Sequence, residues 1–256
     1  VSSKLVILKI GGSVLNPKSS FSKINRETLF KIGRELAKLR REYGFNFIII
    51  HGGGGLAHTA VKILRPTEQR GDLLSGASLT KLMLLYLKLE LCRILYRSGL
   101  PVYPLDTEAI VAEVKPDLKV NVSKLSTLIS AGLVPVLNGD LELWNSESTI
   151  ISGDYLAYAI CRDMRPAACI FLIDKKGILD KDERTVQALH EGDVKSLIVH
   201  NVSTVDVTGG ILSKIEYCFK IAKLGVKTFV CSGFHPESIS EVIFQGCSDK
   251  CTRVEA

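Results

Sequence analysis

The residues of this chain best suited to chemistry sit in two glycine-rich turns, each directly behind an apolar run. Lys9-Ile10-Gly11-Gly12-Ser13 follows Leu5-Val6-Ile7-Leu8. His51-Gly52-Gly53-Gly54-Gly55-Leu56-Ala57-His58 follows Phe47-Ile48-Ile49-Ile50. Glycines at a strand exit let the backbone approach a ligand and turn consecutive N–H groups toward it, which suits phosphate oxygens. One turn carries a lysine and the other two histidines. On successive strands they predict a site that grips two phosphorylated molecules at once, as a kinase does.

Two rival motifs share these glycines. Gly12 to Ser19, with Lys18 before the serine, is one residue short of a P-loop, and Pro17 stands where the second glycine belongs. Proline has no N–H and a fixed φ, and the helical pattern resumes only near Asn25, so a P-loop is rejected. Gly52 to Ala57 fits a loose dinucleotide fingerprint, but its acidic partner, Asp72, follows Pro66 and Gly71 rather than ending a strand.

Along the chain, near-continuously apolar runs at 4–10, 45–50, 133–138, 168–173 and 227–232 read as parallel strands covered on both faces. Stretches 26–43, 79–98, 123–131, 153–164 and 209–225 have helical character, the first starting at an Asn25 cap. This alternation predicts an α/β fold with a mostly parallel central sheet sandwiched by helices. Segment 65–78 reads as a loop over the site, and 101–121 as a small hairpin excursion. A lobe boundary is expected between Leu141 and Ile151. The helix at 79–96 leaves little polar face, so it must be covered by core, by another subunit, or in part by an apolar ligand tail.

Bulk properties narrow the classes. The 256 residues are 46% apolar and 23% charged, within the globular range. The net charge of +6 is scattered; Arg34, Lys38, Arg40 and Arg41 share a helix with Glu35 and Glu42, which reads as a solvated face and calls for no nucleic acid. No apolar run reaches the ~18 residues of a membrane span. Val1 to Lys4 leads straight into a strand rather than a signal peptide, so a cytoplasmic location is expected. Of seven cysteines, Cys92, Cys161, Cys169, Cys218 and Cys231 read as small buried hydrophobes, while Cys247 and Cys251 could bridge or form half a metal site.

Five ordered segments carry a family resemblance over nearly the whole chain: Lys9-Ile-Gly-Gly-Ser13 with Lys18, His51-Gly-Gly-Gly54 with His58, Pro135-Val-Leu-Asn-Gly139-Asp140, Ile151-Ser-Gly-Asp154, and Asp206-Val-Thr-Gly-Gly-Ile211 with Lys214. The chain resembles the amino-acid kinase superfamily and, within it, the isopentenyl phosphate kinases. The resemblance implies the amino-acid kinase fold in two lobes, residues 1–146 binding the phosphoryl acceptor and 147–256 binding ATP. It implies Mg²⁺-assisted transfer from ATP to isopentenyl phosphate, a small phosphorylated substrate with an apolar tail, and a homodimer. Lys9 and Lys214 would flank the transferring group, with Asp154 holding both. His58 would donate to the acceptor phosphate, and Gly53, Gly139 and Gly153 would contact the acceptor. Gly11, Gly12, Ser13, Lys18, Gly54, Asp174 and Gly210 would join the two lysines around ATP. No metal-ligating residue is expected.

The pattern is broken in places. Gly55-Leu56-Ala57 replaces Ser-Phe-Gly ahead of His58, which reshapes the acceptor pocket. Tyr155 stands for a second aspartate after Asp154, Lys176 for an acid in the 174–179 stretch, and Leu212 and Ser213 for small and basic residues. Other small phosphate, phosphonate or carboxylate acceptors (fosfomycin-like or acetylglutamate-like) are the enzymatic alternative. A silent nucleotide sensor is the non-enzymatic one.

Overall fold

Hydrophobic burial on both faces defines the centre of this protein. The computed structural model describes residues 4–16, 24–53, 70–144, 147–194 and 210–256. Strands β1 (Leu5–Ile10) and β2 (Asn46–His51) follow the first two apolar runs. Helix α1 (Gly12–Leu15) and helix α2 (Arg26–Tyr43) lie between them. Then come α3 (Arg70–Arg97), β3 (Val102–Pro104), β4 (Val111–Glu113), β5 (Lys119–Val120), α4 (Ser123–Ser130) and β6 (Val134–Asn138). The second half holds β7 (Asp140–Trp144), β8 (Glu147–Ile151), α5 (Gly153–Met164), β9 (Ala168–Ile173), β10 (Ala188–His190), α6 (Gly210–Ala222), β11 (Lys227–Ser232), α7 (Glu237–Gln245) and β12 (Cys251–Glu255).

The main sheet has eight strands in the order β10-β12-β11-β9-β1-β2-β6-β3. Every neighbouring pair is parallel except β11 with β12. Even-numbered residues of β1 pack with Leu29, Ile32, Leu36 and Leu39 of α2, Leu87 and Leu91 of α3, and Ile239 of α7. Leu5 and Ile7 face Leu125 of α4, Leu156 and Ile160 of α5, and Cys218 and Phe219 of α6. This is the expected helix–sheet–helix sandwich. From β1 the chain builds outward first through β2, β6 and β3, and later through β9 and β11 on the other side. The carboxyl end of β1 is therefore the switch point at which such sheets bind ligands.

Several sequence expectations need correction. The stretch 70–78 is helical, continuing α3 toward its N-terminus, not loop; residues 65–69 lie outside the described residues. Glycine costs a helix only about 1 kcal/mol against alanine, and extending an existing helix is far easier than starting one, so Gly71 and Gly76 do not stop it. A one-turn helix begins at Gly12, well before the helical pattern near Asn25. Asn25 does not cap α2 with its side chain: Nδ2 donates instead to the Val14 carbonyl at 2.8 Å, satisfying the end of α1. Within 101–121, β4 and β5 form the expected hairpin, while β3 leaves it to join the main sheet beside β6. Where the lobe boundary is expected, β7 and β8 pair with each other as a second hairpin, outside the main sheet.

Cysteine pairing also differs. Cys251 is bridged to Cys231, its direct cross-strand neighbour, and Cys247 is an exposed free thiol. Cys92, Cys161, Cys169 and Cys218 are buried, as expected. Among the described residues no three His, Cys, Asp or Glu side chains are placed to share a metal ion. No helix among them is long and apolar enough to cross a membrane.

Candidate active site

Three charged side chains from three elements meet at the end of β1. Lys9 is the penultimate strand residue and faces the α5 side. Asp154 lies in the first turn of α5, whose start is fixed by Ser152 accepting from the Tyr155 N–H at 3.0 Å. Lys214 projects from the second turn of α6. Lys9 Nζ is 2.7 Å from Asp154 Oδ1, and Lys214 Nζ lies 3.1 and 3.0 Å from Oδ1 and Oδ2. All three are buried, at 6%, 9% and 7% exposure.

Two ammonium groups around one carboxylate leave an excess positive charge out of water. Burial, aided by repulsion from Lys214, lowers the Lys9 pKa to about 8 despite Asp154. Burial opposes ionisation of Asp154 too, but the two lysines outweigh it and hold the carboxyl below its ordinary value. For Lys214 the carboxylate overcomes burial and raises the pKa. The two lysines shift in opposite directions because they compete for one counterion; the robust consequence is that one proton of the trio is held loosely. An incoming phosphate would supply the missing negative charge.

The backbone around the trio is packed too closely for side chains. A Cβ on Gly139 would lie 2.6 Å from the Gly153 nitrogen, because β6 exits directly against the start of α5. Gly139 N–H donates to the His51 carbonyl at 3.0 Å, tying the second glycine turn to the same junction. Gly11 N–H donates to Leu172 O at 2.8 Å, and a Cβ there would clash with that oxygen at 2.6 Å. Gly11 therefore locks β1 to β9. The N–H groups of Gly12 and Ser13 open α1 and, as at any helix start, have no acceptor within the helix. Gly53 lies at the partly exposed exit of β2, Asp174 is exposed at the exit of β9, and Gly210 opens α6. Lys18, Gly54 and His58 lie outside the described residues.

Several charged and polar side chains nearby were given no role in the sequence reading. Beside this junction a cavity of about 220 Å³ is lined by Leu82, Leu84 and Leu85 of α3, with Lys88, Asp106 and Asn138 among its polar residues. Lys88 is 4% exposed and donates to Asp106 Oδ1 at 2.6 Å. Lys81 pairs with Glu108 and, at 3.0 Å, with Asp140. The one available signal was a lysine interrupting the leucines of 82–91. Tyr155, the departure beside Asp154, accepts from the Leu118 N–H at 2.6 Å and stacks on Tyr217, so it anchors the β4–β5 hairpin on α5.

The profile of the amino acid kinase family matches residues 4–232. This chain belongs to the amino acid kinase family. Among curated relatives, isopentenyl phosphate kinase of Thermoplasma acidophilum is 28% identical over 243 residues, covering 93% of this chain and 96% of that one. Isopentenyl phosphate kinase of Methanothermobacter thermautotrophicus is 26% identical over 256 residues, covering 93% and 95%. A crystal structure of a T. acidophilum isopentenyl phosphate kinase product complex superposes with a TM-score of 0.77 at 22% identity, covering 98% of this chain and all of that one, which shows the shared fold. Within the family, an ion trio at the end of the first strand and a second glycine turn beside it make a site suited to phosphate chemistry.

Proposed function

We propose that this chain is an ATP-dependent kinase converting isopentenyl phosphate to isopentenyl diphosphate. The observation that carries the chemistry is the buried Lys9–Asp154–Lys214 trio with its uncompensated positive charge. Phosphoryl transfer passes through a loose transition state whose charge spreads over equatorial oxygens, so its catalysis is positioning and charge stabilisation. An oxygen of the acceptor phosphate attacks the γ-phosphorus, the bond to the β-phosphate oxygen breaks, and ADP leaves. That oxygen is already ionised at neutral pH and needs no general base. Lys9 and Lys214 neutralise the migrating group while Asp154 fixes both ammonium positions. Mg²⁺ arrives on the nucleotide as Mg-ATP.

The acceptor lies on the β2–β6 side, against Gly53, Gly139 and Gly153, with His58 donating to its phosphate; residues 1–146 form this half. ATP lies on the β9–β11 side, in residues 147–256, toward Gly12, Ser13, Asp174 and Gly210, with Lys18 and Gly54 completing the phosphate cradle. The chain acts as a homodimer in the cytoplasm, where ATP is supplied. A carboxylate acceptor is disfavoured, because the cavity wall holds three acids, Asp106, Glu108 and Asp140, against two lysines.

The direct test measures ADP release from Mg-ATP with isopentenyl phosphate, dimethylallyl phosphate, fosfomycin and N-acetylglutamate. Turnover with the two prenyl phosphates is expected. Turnover with N-acetylglutamate alone overturns the reading, and ATP binding without any turnover makes the chain a nucleotide sensor.

A further inference from the structure

Tyr155 directly follows Asp154 and ties three elements together at the edge of the ion trio. Its N–H donates to Ser152 Oγ at 3.0 Å, which fixes the first turn of α5. Its hydroxyl accepts from the N–H of Leu118, in the turn of the β4–β5 hairpin, at 2.6 Å. Two turns further along the same helix face, Arg162 Nη2 donates to the Leu118 carbonyl at 3.2 Å. Helix α5 thus holds both backbone groups of one fully buried hairpin residue. The Tyr155 ring, pinned through its hydroxyl, stacks on Tyr217 of α6 with centroids 5.3 Å apart and planes 22° from parallel. Tyr158, one turn along α5, meets the same Tyr217 ring at 6.1 Å. Tyr217 stands three residues after Lys214, on the next turn of α6.

The rotation of α6 about its axis decides where Lys214 Nζ points, now 3.0 Å from Asp154 Oδ2. Behind it, Ile215 and Phe219 of α6 share a core with Leu156 and Ile160 of α5, but apolar burial is non-directional and fixes rotation poorly. Aromatic pairs do have preferred geometry. Among the described residues, the directional contacts between the two helices are the Lys214–Asp154 pair and the tyrosine rings. A phosphoryl group entering the trio would draw Lys214 away from its carboxylate, and the ring stack would then still hold α6 in place. We infer that Tyr155 is a positioning residue, which through Tyr217 keeps Lys214 where the migrating phosphoryl group needs a cation. With ring and hydroxyl both occupied, Tyr155 acts through Lys214 and not on a bound molecule. An aspartate in this place would offer Tyr217 no ring, so the device belongs to this chain's own tyrosine pair. It rests on the kinase reading above and adds a residue to that machinery.

The test measures kcat and both KM values with Mg-ATP and isopentenyl phosphate, per mole of folded protein and well below every melting temperature. The proteins are the parent, Tyr155→Phe, Tyr155→Leu, Tyr217→Leu and the double Leu variant. Each single Leu variant should lose about tenfold in kcat while both KM values stay within about threefold of the parent's, since misplacement of Lys214 is felt in the transition state. Tyr155→Phe keeps the ring and should hold kcat within about threefold of the parent. The double variant should fall no further than the singles, because both remove one stack. A merely structural stack would lower the melting temperatures and leave kcat of the folded enzyme at the parental value, which overturns the inference while the kinase reading stands. Additive losses in the double variant overturn it equally, as does a Tyr155→Phe that falls as far as Tyr155→Leu. Should Tyr155→Leu fail to fold, Tyr217→Leu against Tyr155→Phe decides by the same kcat criterion. No ADP release from the parent removes the kinase reading itself, and the inference with it.

Discussion

At the scale of the residue, function and stability pull Lys9 in opposite directions. Its ammonium sits out of water beside that of Lys214 with half a share in Asp154, a cost that the proposed phosphoryl transfer would account for. Lys9→Met removes that excess charge while keeping length and apolar bulk. The variant should melt at or above the parent's temperature at neutral pH, while kcat falls by about 100-fold or more, since the lost contact acts on the transition state. The sign of the pH dependence follows from the depressed pKa. The unfolded chain holds this proton up to about 10.5 and the folded one only to about 8. The stability penalty is therefore complete below pH 8 and fades between 8 and 10.5, so the melting advantage of Lys9→Met should shrink over that window. For the same reason kcat/KM for ATP should fall above about pH 8 as the free enzyme loses the Lys9 charge. Nucleotide phosphates restore it, so binding at about pH 8.5 should take up a proton. Calorimetry in two buffers of different ionisation enthalpy reads this directly, and binding heats independent of buffer would remove Lys9 from the ATP phosphates.

At the scale of the element, what the sequence revealed depended on burial. Five strands were legible because parallel strands buried on both faces leave unbroken apolar runs, such as Ala168 to Ile173. The edge strands β3 and β10 are only three residues long, and exposed residues such as Tyr103 in β3 and Arg253 in β12 break any such run. The Cys231–Cys251 bridge was hidden because the antiparallel return of β12 onto β11 sets it, not local spacing. That Lys9, Asp154 and Lys214 meet was expected from the resemblance to the amino-acid kinase superfamily, since each alone reads as an ordinary strand-end or helix-start residue. Lys88 and Asn138 were not legible, since only the docking of α3 beside β6 gives them a shared cavity. The same docking logic gives Gly139 a testable role. Gly139→Ala places a methyl on the Gly153 backbone and must push the start of α5, with Asp154, away from Lys9. Overpacking of this kind costs about 1–3 kcal/mol, and the displaced carboxylate should lower kcat as well. A variant with parental melting temperature and kcat would mean that the β6–α5 junction yields without moving the trio.

At the scale of the whole molecule, α3 presents more apolar surface than the sheet can use. Leu84, Leu87, Leu91 and Leu95 face the core, yet Leu82, Leu85, Tyr86, Leu89 and Tyr96 lie on the opposite side and are exposed, Leu89 at 54% and Tyr96 at 71%. Scattered surface leucines need no explanation, but five large apolar groups along one helical face form a stripe of the kind that partners cover. In the proposed homodimer a two-fold axis would lay the stripe against its own copy. Leu89→Asp then places two like charges near that axis in an apolar contact, and sedimentation should shift the particle to the 28.0 kDa monomer. Leu82 and Leu85 belong both to the stripe and to the cavity wall, so pairing through the stripe would also close the cavity's outer side. Monomerisation should therefore raise KM for the acceptor while KM for ATP, proposed to bind on the β9–β11 side, stays near the parent's. A Leu89→Asp protein that remains dimeric would place the subunit contact elsewhere. One that dissociates with both KM values unchanged would show that each subunit shapes its acceptor pocket alone.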